Sequence, residues 1–92
     1  MIPVSEPLLD ESAHAYVQEA MRTGWISSEG PFVTKFERQW ADYCGVAHGV
    51  AVCNGTAALE LAVRALSLPE GSEVIVPSFT IISCVLAILR AG

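Results

Sequence analysis

Apolar residues in the first part of the chain recur with the period of a helix. Ala13, Tyr16, Val17, Ala20 and Met21 fall at i, i+3, i+4, i+7 and i+8, one stripe of a helix predicted over about 10–22. Asp10 can accept a backbone N–H at its start, and Gly24 can end it in a left-handed conformation. A polar turn follows over 25–30. Pro31 then opens a second helix, at the one position where its missing N–H costs nothing. Phe32, Val33, Phe36, Trp40 and Tyr43 share one face of that helix, and Gly45 stops it.

Beyond Gly45 the rhythm changes. Residues 49–53 make a short apolar run, read as a strand that passes through Asn54-Gly55 into a third helix over about 57–67. The polar residues Glu60, Arg64 and Ser67 lie at i, i+4 and i+7 of that helix, so one narrow wet stripe and a buried remainder are expected. Glu60 and Arg64 read as an ion pair. Pro69-Glu70-Gly71 is a turn. Residues 73–77 are read as a second strand, whose Val74-Ile75-Val76-Pro77 is an unbroken apolar run of the kind found in parallel sheets covered on both faces. A last helix is expected over 80–91. The order α-α-β-α-β-α predicts an α/β fold, an incomplete parallel-type sheet flanked by helices.

Composition narrows the class. Hydrophobic residues make up 52% and charged residues 16%, which excludes a disordered chain. At 92 residues there is room for one small domain, whose high apolar fraction suits a piece of something larger. The net charge is −5 and no basic run exists, so no nucleic-acid partner is expected. Cys44, Cys53 and Cys84 lack metal-ligand spacing and read as small buried thiols. No bound metal is expected, and reduced cysteines suit a cytoplasmic protein. The apolar run from Val74 to Leu89 is interrupted by Pro77 and falls short of the roughly 20 residues needed to span a bilayer, so no membrane partner is expected.

The candidate chemistry sits at Asn54-Gly55-Thr56-Ala57-Ala58. A strand running through a tight turn into a helix aims unpaired N–H groups and the positive end of a helix dipole at one point, which suits a phosphate. Gly55 lets a ligand approach the backbone. Thr56 offers a hydroxyl and an N–H, and Ala57 and Ala58 offer further N–H groups. An ordinary strand-to-helix turn with Thr56 as the N-cap is the alternative. A Walker loop is excluded by the lack of a following lysine, and a dinucleotide fingerprint by the single glycine. A second candidate is the loop Gly24-Trp25-Ile26-Ser27-Ser28-Glu29-Gly30-Pro31. It gathers hydroxyls and a carboxylate before a helix start; the alternative is a surface connection with Trp25 or Ile26 in the core. Lys35, the only lysine, and His14 read as solvent-facing, and His48 reads as structural.

Taken in register, several segments resemble the N-terminus of the DegT/DnrJ/EryC1/StrS family of sugar aminotransferases. They are Trp25-Ile26-Ser27-Ser28-Glu29-Gly30-Pro31-Phe32-Val33, Phe36-Glu37 and Tyr43-Cys44-Gly45-Val46. Asn54-Gly55-Thr56-Ala57-Ala58-Leu59 and the stretch from Gly71 to Thr80 complete the set. The resemblance implies the N-terminal part of the large domain of a fold-type-I pyridoxal 5′-phosphate (PLP) transferase. Residues 1–47 would be its helical lead-in and 48–92 the start of the αβ cofactor-binding core.

The implied activity moves an amino group, usually from glutamate, onto a keto group of a nucleotide-linked sugar. By the same resemblance, Gly55, Thr56 and Ala57 would hold the PLP phosphate. Ser27, Ser28, Glu29 and Gly30 would face the substrate, at a site built by a homodimer. Ile81 stands where the family often has an aromatic residue that stacks on the cofactor ring. The lysine that carries the cofactor, and the aspartate that pairs with its ring nitrogen, are expected beyond position 92. No catalytic residue is therefore assigned here, and the 92-residue chain alone is expected to be inactive. A non-catalytic phosphate-binding or nucleotide-sugar-binding module, or a subunit-interaction segment, are the other readings.

Overall fold

Asp10 begins the folded part as expected. Its carboxylate accepts the Ala13 N–H at 2.9 Å and the Ser12 hydroxyl at 2.7 Å, which caps α1, Glu11–Thr23. These bonds, the Ala13 N–H foremost, hold the Asp10 carboxyl below its ordinary range. Gly24 ends α1 with φ +77°, the left-handed conformation that favours glycine. The computed structural model describes residues 2–92. They form four α-helices: α1, then α2 (Pro31–Cys44), α3 (Gly55–Ala65) and α4 (Ile82–Ala91). Gly45 closes α2 at φ +68°, its N–H bonded to the Asp42 carbonyl at 3.2 Å while Val46 N–H reaches Ala41 at 3.0 Å. That pair of bonds satisfies the carbonyls a helix end leaves open.

The chain parts into two compact units, Met1–Ala51 and Val52–Gly92. In the first, Tyr16 of α1 meets Phe32 of α2 edge to face, with ring centroids 6.0 Å apart. Lys35 Nζ donates to the Tyr16 hydroxyl at 2.9 Å. The same nitrogen is 4.7 Å from the ring centroid, so it lies toward the oxygen end of the ring and the contact is chiefly a hydrogen bond. Lys35 is exposed as expected, but it ties α2 to α1. The segment after α2 is fastened back to it, because Glu37 Oε1 accepts the Ala51 N–H at 2.8 Å. Gly49 packs so closely that a Cβ there would sit 2.5 Å from the Glu37 carbonyl oxygen.

In the second unit, α3 packs along α4. Arg64 forms the expected ion pair with Glu60 at 3.1 Å and also donates to the Arg90 carbonyl at the end of α4. Ala87, on α4, is fully enclosed.

The expected strands at 49–53 and 73–77 are absent: among the described residues there is no strand and hence no sheet. The α/β architecture is therefore not realised within this chain. A strand exists only through a ladder of inter-strand hydrogen bonds, and neither segment has a neighbour to pair with. By the resemblance the two would be the first and second strands of a sheet ordered 3-2-4-5-6-7-1, in which they are not adjacent.

The consequence is bare apolar surface. Ile75 is 99% exposed and Phe79 fully so, where a covered strand and its flank were expected. Leu59 and Leu61 on α3 are also exposed, and so are Cys44 and Cys53, against the expectation of a buried helix face and buried thiols. Among the described residues, only Ala41 and Ala87 are buried hydrophobics. The helices form, but the covering layers their apolar faces call for are not present.

Candidate functional site

The turn before α3 is built by Asn54. Its backbone is extended (φ −166°, ψ 170°), and its Oδ1 accepts the Ala57 N–H at 2.9 Å while its carbonyl accepts the Ala58 N–H at 3.1 Å. Asparagine is among the best N-cap residues because its side chain satisfies one of the donors a helix start leaves open. The helix therefore begins at Gly55, two residues before the expected start at 57. The Ala57 and Ala58 N–H groups, both expected to be available to an anion, are engaged by Asn54.

Two donors remain. Among the described residues, the Gly55 and Thr56 N–H groups have no acceptor. A Cβ built on Gly55 meets nothing within 4 Å, so the space in front of this turn is open. The first turn of α3 carries no acidic side chain to compete for the positive helix end. Thr56 is half-buried, and its Oγ1 donates to Ser83 Oγ at 2.9 Å. Ser83 lies in the first turn of α4, 27 residues away, and nothing in the sequence pattern pointed to it. Asn54 was legible as a cap from its residue type, but was read as part of the turn.

The other candidate loop lies in the first unit. Ser27 Oγ donates to the Glu29 carbonyl at 3.1 Å and accepts the Glu29 N–H at 3.3 Å, so its hydroxyl closes the loop on itself. The Trp25 ring lies against Gly30, with Cε3 3.4 Å from where a Cβ would stand. Trp25 and Ile26 are 52% and 75% exposed, so neither is tucked into a core. Ser28, Glu29, Gly30, Thr34 and Glu37 border one open cleft with Trp25. Ser27–Gly30 thus belong to the first unit and Gly55–Ala57 to the second. No group of three or more potential metal-ligating side chains exists among the described residues. No helix among them is long and apolar enough to cross a membrane.

The sequence pattern of the DegT/DnrJ/EryC1/StrS aminotransferase family matches residues 7–92. The chain belongs to this family. It is 44% identical over 92 residues to the GDP-perosamine synthase of Vibrio cholerae, covering all of this chain and 25% of that protein. It is 48% identical over 91 residues to the GDP-perosamine synthase of Caulobacter vibrioides, covering 99% of this chain and 24% of the relative. A Bacillus subtilis relative, 42% identical over 82 residues, is named a putative pyridoxal phosphate-dependent aminotransferase, EpsN; the match covers 89% of this chain and 21% of that protein. The chain thus spans about a quarter of the length of the curated relatives it matches.

Membership makes the turn before α3 testable against a PLP phosphate. A phosphate presents acceptor oxygens and negative charge. The turn presents two unclaimed N–H donors, open space at Gly55 and no competing carboxylate. The donor set fits. Ala57 would join it only if the Asn54 cap released its N–H.

Proposed function

We infer that this chain supplies the N-terminal part of the cofactor domain of a PLP-dependent aminotransferase. That enzyme transfers an amino group from glutamate to a keto group on a nucleotide-linked sugar. The observation that carries the reading is the family match across residues 7–92, together with relatives at 44% and 48% identity named for a GDP-linked amino sugar. The open donors at Gly55 and Thr56 support placing the PLP phosphate there. PLP supplies an electron sink for the carbon that exchanges its amino group. The residues of this chain bind and orient it. Gly55 and Thr56 anchor the phosphate, and Ala57 contributes through the helix start. Ser27, Ser28, Glu29 and Gly30 border the sugar side, with Ser27 shaping the loop and Ser28 and Glu29 offering polar groups to hydroxyls.

In the assembled enzyme, segments 49–53 and 73–77 become strands of a parallel-type sheet, within a large domain whose helical lead-in is 1–47 and whose core begins at 48. Exposed apolar residues such as Val50 and Ile75 support this, since pairing and covering layers would bury them. The enzyme is a cytoplasmic homodimer in this reading, and the bare apolar faces are where further layers and the second subunit pack. Isolated, the 92-residue chain has no activity.

The test is amino transfer by the full-length enzyme that contains this chain. With PLP, ¹⁵N-glutamate and a panel of nucleotide-linked keto sugars, GDP-linked ones first, mass spectrometry should find ¹⁵N in the sugar product. An enzyme that binds PLP yet labels no sugar in the panel would overturn the substrate assignment. One that binds no PLP would overturn the reading as a whole.

A further inference from the structure

The hydrogen bond between Thr56 and Ser83 poses a question of proton supply. A hydroxyl has one proton and two lone-pair sites. Thr56 uses its only proton on Ser83, at 2.9 Å. A phosphate at the turn has nothing but acceptors to offer. Thr56 therefore cannot donate to a phosphate and to Ser83 at once. Ser83, in contrast, has a proton for which the structure provides no acceptor among the described residues.

We propose that Ser83 is a positioning residue for the phosphate site: when a phosphate binds, the Thr56–Ser83 bond reverses, so that Ser83 donates to Thr56 and Thr56 donates to the phosphate. This rests on the phosphate reading of the turn given above. Both hydroxyls keep a partner throughout, and no proton leaves either group. The arrangement places Ser83, Thr56 and the phosphate in one chain of hydrogen bonds, each strengthening the next. It also holds the Thr56 side chain in one rotamer before the ligand arrives, so that less freedom is lost on binding. The two residues come from the first turns of α3 and α4, and α3 packs along α4, so the pair is held by the helix contact rather than by a loop. Ser83 contacts the phosphate only through Thr56.

The experiment is equilibrium titration of the apo form of the full-length enzyme containing this chain, with PLP and in parallel with pyridoxal, which lacks the phosphate. The ratio of the two dissociation constants reports the phosphate's share of binding. Ser83→Ala should lower that ratio roughly threefold to tenfold, the scale of one net hydrogen bond. Pyridoxal affinity should not change. Ser83→Thr, which keeps the hydroxyl, should restore the ratio. In a Thr56→Val background, Ser83→Ala should have no further effect on it. If Ser83→Ala fails to fold, Ser83→Cys gives the same comparison with a weak donor of similar size. A wild-type preference for PLP that Ser83→Ala or Ser83→Cys leaves unchanged overturns this inference alone. A wild type that binds PLP and pyridoxal equally overturns the phosphate reading and this inference with it.

Discussion

The two units of this chain are organised by opposite means. In Met1–Ala51 the helices are delimited by their own ends: Asp10 caps α1, Gly24 stops it, Pro31 opens α2 and Gly45 closes it. Tertiary contact there is narrow, with Tyr16 meeting Phe32 and Lys35 while Phe36, Trp40 and Tyr43 stack on one another along an exposed face of α2. In Val52–Gly92 Asn54 caps the start of α3, but other helix ends are less marked. α4 has no side-chain cap, and α3 ends without a glycine. What holds this unit is contact between its helices, through Ala87, the Thr56–Ser83 pair and the Arg64 bond to the Arg90 carbonyl. The difference teaches where function is placed: the proposed phosphate turn lies in the unit whose geometry depends on tertiary contact.

The sharpest way to break the comparison is to strike that contact. Ala87→Asp would bury an unpaired carboxylate in a fully enclosed position. A loss on the order of 3–5 kcal/mol is expected in the second unit. Hydrogen exchange should accelerate for α3 and α4 amides and not for α1 and α2; equal acceleration in all four helices would end the two-unit description. Next in size is Gly49→Ala, which sets a Cβ against the Glu37 carbonyl. The backbone must shift, at a cost of about 1–3 kcal/mol. Protection of the Ala51 amide, bonded to Glu37, should fall while α3 and α4 keep theirs.

Asn54→Ala removes the cap of α3 and should cost about 1 kcal/mol. Exchange of the Ala57 amide reads this directly, and an unchanged rate would show that the cap contributes nothing. The smallest effect concerns Asp10. Its folded carboxyl sits below its ordinary value because it accepts the Ala13 N–H and the Ser12 hydroxyl. Its contribution is thus complete above the unfolded value and is lost as pH falls through the lower folded one. Helicity of α1, followed by circular dichroism or amide shifts, should decline on acidification through that range. Asp10→Asn caps equally well and does not titrate, so it should flatten the decline.

Legibility followed the range of the forces. Gly24, Gly45 and Pro31 act within one turn of helix, and all three boundaries were readable. The Glu60–Arg64 pair spans one turn and was readable too. The strands were legible as apolar runs but not as structure, because a ladder needs a second strand that this chain does not provide. Ser83 was invisible because its partner is 27 residues away and one serine in an apolar helix carries no pattern. The loop over Ser27–Gly30 was visible as a polar cluster, yet the internal bond between Ser27 and Glu29 depends on backbone geometry that residue types do not state.

By itself, then, the order of residues determined the helices, most of their caps, the turn before α3 and membership of the aminotransferase family, since each rests on local stereochemistry or on motifs in register. The tertiary structure alone decided which donors at that turn are left open, which hydroxyl stands behind Thr56 and which apolar faces lie bare. Those depend on groups far apart in the chain meeting, or failing to meet, in space.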